Sequence, residues 1–347
     1  MIKPKALQRG DAIAVICPSW GGATAFPHIY QSGINNLREL GFKVVEFPTT
    51  KMSQEEVYNS PQARADDINR AFADPEIKAI VATIGGSDSV RILKYLDTDV
   101  IKKNPKIVMG YSDFTTVAIY LNKLGLVTFL GPSVMAGFSQ FHNFSSQYQQ
   151  YVADVLAGHN IIRPWPVFPA YSDGYGGYPD WGDEANTGKL NPLQENIGPR
   201  FLQGSGKVKG KLFGGNLEVL EMTKGTPFWP SPDFWQGRVL AIETSEEKPS
   251  VDYVRYCLRN YGAMGALENV SGLLFGRAAG YSDEEKRSLE ETILSVVRDE
   301  FGLYDLAIIC NLDFGHTDPQ LILALGAEIE IDCDNECIRQ TESPFSE

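Results

Sequence analysis

Lys106-Ile-Val-Met-Gly-Tyr-Ser-Asp-Phe-Thr-Thr116 is the stretch on which the prediction of the fold depends. Its apolar start predicts a buried strand that ends at Gly110, and the residues after Asp113 predict a helix that runs to about Leu124. A serine in such a turn is lifted clear of the sheet edge, close to the free N–H groups of the following helix. Ser112 is therefore a candidate nucleophile, although Ser112 or Asp113 could equally be no more than the helix cap.

Strand and helix signals alternate along the chain on both sides of this stretch. Apolar runs predict further strands at 11–17, 42–47, 77–84 and 126–130, with helical patterns between them. This succession is typical of an α/β fold with an open, mainly parallel sheet, whose ligands bind beyond the carboxyl ends of the strands. The Gly85-Gly86 turn and Ser112 both fall on that edge.

Three regions are expected along the chain. Residues 1–160 form the α/β domain that carries the candidate nucleophile, and residues 161–206 form a linker or active-site loop, because 163–206 are dense in Pro, Gly, Trp and Tyr with little periodicity. Residues 207–347 form a smaller, β-rich second domain. Within it, two apolar runs in 321–331 that are broken at Gly326 predict a hairpin.

Composition narrows the classes of partner. The 347 residues are 43% hydrophobic, as in ordinary globular proteins, and 31 Lys and Arg against 44 Asp and Glu give a formal net charge of -13. A field of that sign repels nucleic acid and anionic membrane surfaces. The sequence also contains no run long enough to span a membrane and no signal-peptide pattern after Met1, so a cytoplasmic location is expected.

A serine nucleophile needs a base and a group that orients the base. His316 is the best candidate base, because it follows an apolar strand in a loop, although a surface-loop histidine is equally common. Glu243 ends the apolar strand 239–243 and is the candidate orienting carboxylate, with an ordinary strand-end acid as the alternative. N–H groups at Gly85 or Gly86 and at Asp113 are candidates for an oxyanion hole, although a Gly-Gly pair more often marks only a turn.

Signatures of other chemistries are missing from the sequence. It contains no dinucleotide-binding glycine motif, no phosphate-binding loop and no His/Cys cluster with metal-ligand spacing. We therefore expect no cofactor and no metal.

Several segments together resemble one known family, the LD-carboxypeptidase family of serine peptidases. The matching segments span essentially the whole chain: Arg9-Gly-Asp-Ala-Ile-Ala-Val-Ile-Cys-Pro-Ser19, Ile84-Gly-Gly-Ser-Asp-Ser89, Gly110-Tyr-Ser-Asp-Phe-Thr115, Gly214-Gly-Asn-Leu217, Ile242-Glu-Thr-Ser245 and Phe314-Gly-His-Thr317. The resemblance implies a glutamine-amidotransferase-like N-terminal domain and a barrel-like C-terminal domain. It also implies a Ser112, His316, Glu243 triad, an oxyanion hole at Gly85 or Gly86 and Asp113, and a homodimer.

The family has two branches that differ in substrate. Members similar to the microcin C immunity protein cut the bond between a peptidyl aspartate and a modified adenylate, whereas cell-wall recycling members remove D-alanine from a muropeptide tetrapeptide. The long aromatic 163–206 segment favours the first branch, in which Trp181 would stack on a nucleobase unless it only packs within its loop. Asn216 is a further candidate substrate contact.

The same residues leave two alternatives from other classes open. One is a non-catalytic protein that binds peptides or aminoacyl nucleotides. Another is a glutamine-amidotransferase-type enzyme, for which a cysteine rather than Ser112 is expected at the turn.

Overall fold

A computed structural model describes residues 1–174 and 180–346, and it contains two large sheets and one small one. The strands are β1 (Ala12–Ile16), β2 (Lys43–Glu46), β3 (Ile77–Ala82), β4 (Ile107–Gly110), β5 (Thr128–Leu130), β6 (Ala170–Asp173), β7 (Gln194–Glu195), β8 (Arg200–Gln203), β9 (Lys207–Asn216), β10 (Arg238–Glu243), β11 (Gly272–Gly276), β12 (Ala307–Leu312), β13 (Thr317–Asp318), β14 (Leu323–Leu325), β15 (Glu328–Asp332) and β16 (Cys337–Gln340).

Helices lie between most of these strands. The α-helices are α1 (Gly22–Ala25), α2 (Pro27–Glu39), α3 (Gln54–Asn59), α4 (Pro61–Ala73), α5 (Thr98–Lys103), α6 (Thr115–Lys123), α7 (Ser146–Leu156), α8 (Leu217–Glu221), α9 (Val251–Ala263), α10 (Ala266–Asn269) and α11 (Asp283–Leu294), which continues as a π-helical segment, Ser295–Glu300. Shorter 3-10 segments lie at Pro48–Lys51, Ser89–Tyr95, Ser112–Phe114, Phe138–Asn143, Glu184–Asn186 and Pro232–Trp235.

The first sheet has the strand order β14-β5-β4-β3-β1-β2. Strands β1 to β5 run parallel, whereas β14 pairs antiparallel with β5. From β1 the chain moves outward to β2 and then returns to β3 on the other side of β1, so the order reverses between β1 and β3. Ligands bind beyond the carboxyl ends of the strands at such a reversal. The mainly parallel sheet predicted from the sequence is confirmed.

The second sheet has the order β16-β15-β9-β10-β11-β12-β8. Its four central strands, β9 to β12, are parallel, and antiparallel strands flank them on both sides. The β-rich second half predicted from the sequence is therefore present. Strands β10 and β11 are almost entirely buried, in accord with their continuous apolar sequences.

The two halves of the chain meet where β9 ends beside the start of α6. Gly215 lies there with φ of +145°, and a Cβ atom on it would lie 2.5 Å from the Cγ2 atom of Thr115. The backbone N–H of Asn216 also donates to Oγ1 of Thr115 at 3.1 Å. A glycine at this position therefore lets the second sheet approach the helix that follows Ser112.

The predicted hairpin in 321–331 is wrong. Its two apolar runs form β14 and β15, but β14 pairs with β5 in the first sheet and β15 pairs with β9 and β16 in the second. Apolar periodicity identifies a strand without identifying its partner, and Gly326 marks the place where the chain passes from one sheet to the other.

The predicted linker or loop at 161–206 contains more regular structure than its sequence indicates. Its described residues include β6, β7 and β8, and β8 pairs with β12 at the edge of the second sheet. Strands of two to four residues are too short to give a periodic signal. Residues 175–179 of this segment lie outside the described residues.

Candidate active site

Ser112 occupies the turn between β4 and α6 in a backbone conformation that is uncommon for any residue except glycine. Its φ is +58°, after a strand whose four residues are all buried. A non-glycine residue in this region costs about 1–3 kcal/mol, so it persists only where the surrounding structure imposes it. The strand-to-helix turn predicted from the sequence is thus present, and it holds the serine at the carboxyl edge of the first sheet.

The side chain of Asp113 holds this turn in place through buried hydrogen bonds. It is fully buried, and its Oδ2 accepts hydrogen bonds from Oγ of Ser19 at 2.5 Å and from the backbone N–H groups of Asp88 and Ser89 at 3.0 and 2.8 Å. Burial raises the pKa of the Asp113 carboxyl, although these hydrogen bonds oppose the shift. The side chain therefore positions the turn, and only the backbone of Asp113 faces the reaction centre.

A buried ion pair holds Asp88 in place. The fully buried guanidinium of Arg64 donates to both carboxylate oxygens of Asp88 at 2.8 and 2.9 Å, and Arg91 donates to one of them at 2.8 Å. Burial opposes ionisation of Asp88, but the two guanidinium groups hold its pKa below the usual range. This ion pair links α4 to the nucleophile turn through Ser19 and Asp113.

Gly85 lies directly against Ser112. A Cβ atom on Gly85 would lie 2.8 Å from the Cβ and 2.9 Å from the Oγ of Ser112, and 3.4 Å from the backbone nitrogen of Asp113. Any side chain at this position would therefore collide with the hydroxyl group. Of the three residues predicted for an oxyanion hole, Gly85 and Asp113 lie beside Ser112, and Gly86 lines the same cavity.

His316 and Glu243 come from the second half of the chain and form a buried pair. Glu243 is the last residue of β10, and His316 lies between β12 and β13. Nδ1 of His316 lies 2.7 Å from Oε2 of Glu243, and the two residues are only 5% and 3% exposed. This contact fixes the orientation of the imidazole ring and directs Nε2 away from Glu243.

The carboxylates around His316 favour its protonated form. Burial alone would lower the pKa of the imidazole, but Glu243, followed by Glu246 and Glu218, raises it to about 9. Oε2 of Glu246 lies 3.2 Å from Nε2, yet the contact lacks hydrogen-bond geometry, and Nε2 has no hydrogen-bond partner among the described residues. We interpret the contact with Glu246 as electrostatic.

Ser112 and His316 line the same cavity, which encloses about 470 Å³. Gly85, Gly86 and Trp181 also line it, so the structure brings these sequence-predicted residues together. Trp181 packs edge-on against Phe26, with ring centroids 5.6 Å apart, and Phe26 packs in the same way against Trp20 at 6.0 Å. These three rings give the cavity an aromatic wall.

Asn216 lies apart from this cavity. It is 1% exposed, its Oδ1 accepts the backbone N–H of Val219 at 2.9 Å, and it thereby caps α8. It lines a much smaller neighbouring cavity together with Glu243 and Ser112. Its Nδ2 has no hydrogen-bond partner among the described residues.

Several residues of the main cavity were not singled out from the sequence. They are Trp20, Phe26, Asp180, Glu246 and Glu247, whereas Ile84, Ser87 and Tyr111 lie in segments that carry the family resemblance. Two of them carried a usable signal, because Trp20 follows β1 and Glu246 follows β10, and both therefore lie just beyond the carboxyl end of a parallel strand. Phe26 and Asp180 come to the cavity only through tertiary packing.

Within residues 1–174 and 180–346 no group of three His, Cys, Asp or Glu side chains is arranged to hold a metal ion. Among these same residues, no helix is both long and apolar enough to cross a membrane.

Comparisons with known proteins cover both halves of the chain. Residues 13–131 match the LD-carboxypeptidase N-terminal domain, and residues 209–331 match the LD-carboxypeptidase C-terminal domain. The microcin C7 self-immunity protein MccF of Escherichia coli is 28% identical over 348 residues, which cover 97% of this chain and 95% of that protein. A Bacillus subtilis protein named "probable murein peptide carboxypeptidase" is 29% identical over 335 residues, covering 94% and 90% of the two chains.

A solved structure of MccF in complex with aspartyl sulfamoyl adenosine has the same fold. It is 27% identical, with a TM-score of 0.87, and the match covers 100% of both chains. Both domain matches, the shared fold and the full-length coverage agree. The chain belongs to the LD-carboxypeptidase family of serine peptidases and is a serine carboxypeptidase-type hydrolase with the fold of MccF.

Proposed function

We propose that Ser112, His316 and Glu243 form a catalytic triad that acts through an acyl-enzyme. The observation that carries this proposal is the 2.7 Å contact between Nδ1 of His316 and Oε2 of Glu243. The imidazole ring that this contact orients lines the same cavity as Ser112. An oriented histidine beside a serine in a strand-to-helix turn is the arrangement that activates a hydroxyl group.

The reaction proceeds in two halves. In the first, Oγ of Ser112 attacks the scissile carbonyl carbon while Nε2 of His316 takes its proton, and the imidazolium then protonates the leaving nitrogen as the C–N bond breaks. In the second, Nε2 takes a proton from water, the hydroxide oxygen attacks the ester, and the proton returns to Ser112 as the acid departs. Because this chemistry starts from neutral imidazole, the elevated pKa of His316 limits the active fraction at neutral pH.

Backbone N–H groups of Gly85 or Gly86 and of Asp113 stabilise the tetrahedral oxyanion in this proposal. The close approach of Gly85 to Ser112 supports it, because it places this backbone beside the attacking oxygen. One such donor is worth about 2.7–4 kcal/mol of transition-state stabilisation.

We further infer that the substrate is a peptidyl or aminoacyl group joined to a modified adenylate, cleaved at the amide-type bond between the two. The aromatic wall of Trp20, Phe26 and Trp181 supports this class, because a nucleobase stacks on such rings. The likeness to MccF, which was solved with aspartyl sulfamoyl adenosine, points the same way. The 28% identity to the microcin C7 self-immunity protein adds support from sequence.

A second candidate is a muramoyl-tetrapeptide LD-carboxypeptidase that releases D-alanine. The Bacillus subtilis protein named for murein peptides, which is 29% identical, favours it. A homodimer remains our expectation for either activity, and sedimentation of the purified protein tests it.

The deciding experiment compares wild-type protein with Ser112→Ala on an aspartyl adenylate analogue and on a muropeptide tetrapeptide. Cleavage of the adenylate analogue alone, lost in the variant, supports the proposal. Cleavage of the tetrapeptide alone supports the second candidate, the muramoyl-tetrapeptide LD-carboxypeptidase. Cleavage of neither favours the non-catalytic binding protein.

A serine-directed phosphonate separates catalysis from binding without assuming a substrate. The reagent should label wild-type protein and Ser87→Ala alike, but not Ser112→Ala. Ser87 is a matched control, because it presents an exposed hydroxyl group to the same cavity. Equal labelling of all three proteins would contradict the assignment of Ser112 as the activated serine.

A further inference from the structure

The charged side chains on the wall of the main cavity are almost all acidic. Asp180, Glu246 and Glu247 line it together with His316, and no described lining residue is Lys or Arg. None of these three acids forms an ion pair with a Lys or Arg in the described part of the chain. Even with His316 protonated, these three carboxylates outnumber the single cation among the described lining residues, so the cavity wall carries a net negative charge.

Glu246 is the acid that lies at the reaction centre. Its Oε2 is 3.2 Å from Nε2 of His316, the nitrogen that must take the proton of Ser112. The side chain of His316 is 5% exposed, whereas the side chain of Glu246 is 43% exposed and open to an incoming ligand. The negative charge of this carboxylate therefore competes with the hydroxyl group of Ser112 for Nε2.

Aromatic rings lie on the same cavity wall as these carboxylates. The faces of Trp and Phe rings attract cations, and such attraction adds to that of a nearby carboxylate. A cavity that combines an excess of acids with the rings of Trp20, Phe26 and Trp181 therefore favours a ligand with a positive charge.

We propose that the site selects acyl groups that carry an ammonium group beside the scissile carbonyl, and that Glu246 is the residue that receives this ammonium. The proposal rests on the hydrolase function proposed above and adds the charge of its substrate. An α-ammonium is the simplest such group, because it lies one carbon from the carbonyl that Ser112 attacks. When the ammonium pairs with Glu246, this carboxylate no longer competes for Nε2 of His316. Binding of the charged substrate therefore makes the imidazole available to Ser112.

The test uses two substrates that differ only in this charge, alanyl sulfamoyl adenosine and its N-acetyl derivative. Alanine contributes no charged side chain, so the comparison isolates the ammonium. We expect wild-type protein to show kcat/KM at least about tenfold higher for the free amine, as for other substrate charges that pair with one enzyme carboxylate. In Glu246→Gln this preference should fall to about twofold or less, through loss of activity on the free amine.

Glu247→Gln is the matched control, since it removes the same charge from the same cavity without a contact to His316. It should keep most of the preference. Equal rates on both compounds in wild-type protein, or an undiminished preference in Glu246→Gln, would overturn the proposal.

Failure of the charge preference is distinguishable from failure of the proposed function. Ser112-dependent cleavage of both compounds at equal rates refutes the role of Glu246 and leaves the hydrolase intact. If neither compound is cleaved, calorimetry measures the binding of both compounds to Ser112→Ala. Tighter binding of the free amine upholds the preference if adding Glu246→Gln abolishes the difference. Equal binding of the two compounds refutes it.

Discussion

Replacing Glu243 by glutamine tests the buried pair at the centre of the site. The substitution keeps the shape of the side chain but removes the negative charge that lies 2.7 Å from Nδ1 of His316. Two consequences oppose each other. The imidazole loses the group that orients it, and it also loses the largest of the charges that raise its pKa.

The two effects combine into a loss that depends on pH. With a pKa of about 9, His316 is neutral in only about 1% of wild-type molecules at pH 7 and is almost fully neutral above pH 10. Loss of the orienting carboxylate typically lowers kcat by about 10⁴-fold. In Glu243→Gln the imidazole loses the largest contribution that raises its pKa, so a larger fraction of it is neutral at pH 7 and part of this loss is recovered there. Complete neutralisation would recover at most about 10²-fold, so the expected loss is about 10⁴-fold at pH 10 and between about 10²-fold and 10⁴-fold at pH 7.

The assay is kcat/KM on a Ser112-dependent substrate from about pH 6 to pH 10, for wild-type protein and Glu243→Gln. The wild-type profile should rise with pH until about pH 9, whereas in the variant the rise should end at a lower pH. Circular dichroism controls for folding. A loss of less than about tenfold at every pH, or an unchanged inflection in the variant, would refute the assignment of Glu243 to His316.

Three further predictions concern the turn and the buried charges. Gly85→Ala should lower kcat by at least about 10²-fold, because its Cβ would lie 2.9 Å from Oγ of Ser112; an unchanged single-turnover rate would contradict this contact. Asp88→Asn should lower the free energy of unfolding by about 3 kcal/mol in urea titrations, since it leaves a buried guanidinium without its carboxylate; a change below about 1 kcal/mol argues against the ion pair. The stability that His316 gains from its raised pKa should be complete below about pH 6.5 and lost as pH rises to about 9, so His316→Gln should show a smaller decline in unfolding free energy over that interval.

Much of the first sheet and the position of the nucleophile turn could be predicted from the sequence. Continuous apolar runs such as 77–84 identify strands buried on both faces, and the parallel order places their carboxyl ends together. Ser112 was found in this way, and the structure places Glu243 and His316 in contact as the family resemblance implied. Their roles in catalysis stay predictions.

Other parts of the site depend on contacts between residues that lie far apart in the sequence, and no local pattern predicts such contacts. Trp20 and Phe26 join Trp181 only after two loops pack together, and Glu246 acts on His316 from 70 residues away in sequence. The hairpin predicted at 321–331 is wrong for the same reason. The pairing of β14 and β15 depends on the tertiary arrangement of the two sheets, which the local sequence does not encode.

The pairing of β14 with β5 has a consequence for synthesis of the protein. Leu323–Leu325 are synthesised long after the rest of the first sheet, so this edge of β5 stays unpaired until the ribosome has passed these residues. An unpaired edge strand can recruit strands from other nascent chains. The segment that closes this edge begins only seven residues after His316, so the pairing of β14 with β5 also ties the chain that carries the base to the first sheet. A chain that stops before Leu323 would thus expose this edge and lose that tie.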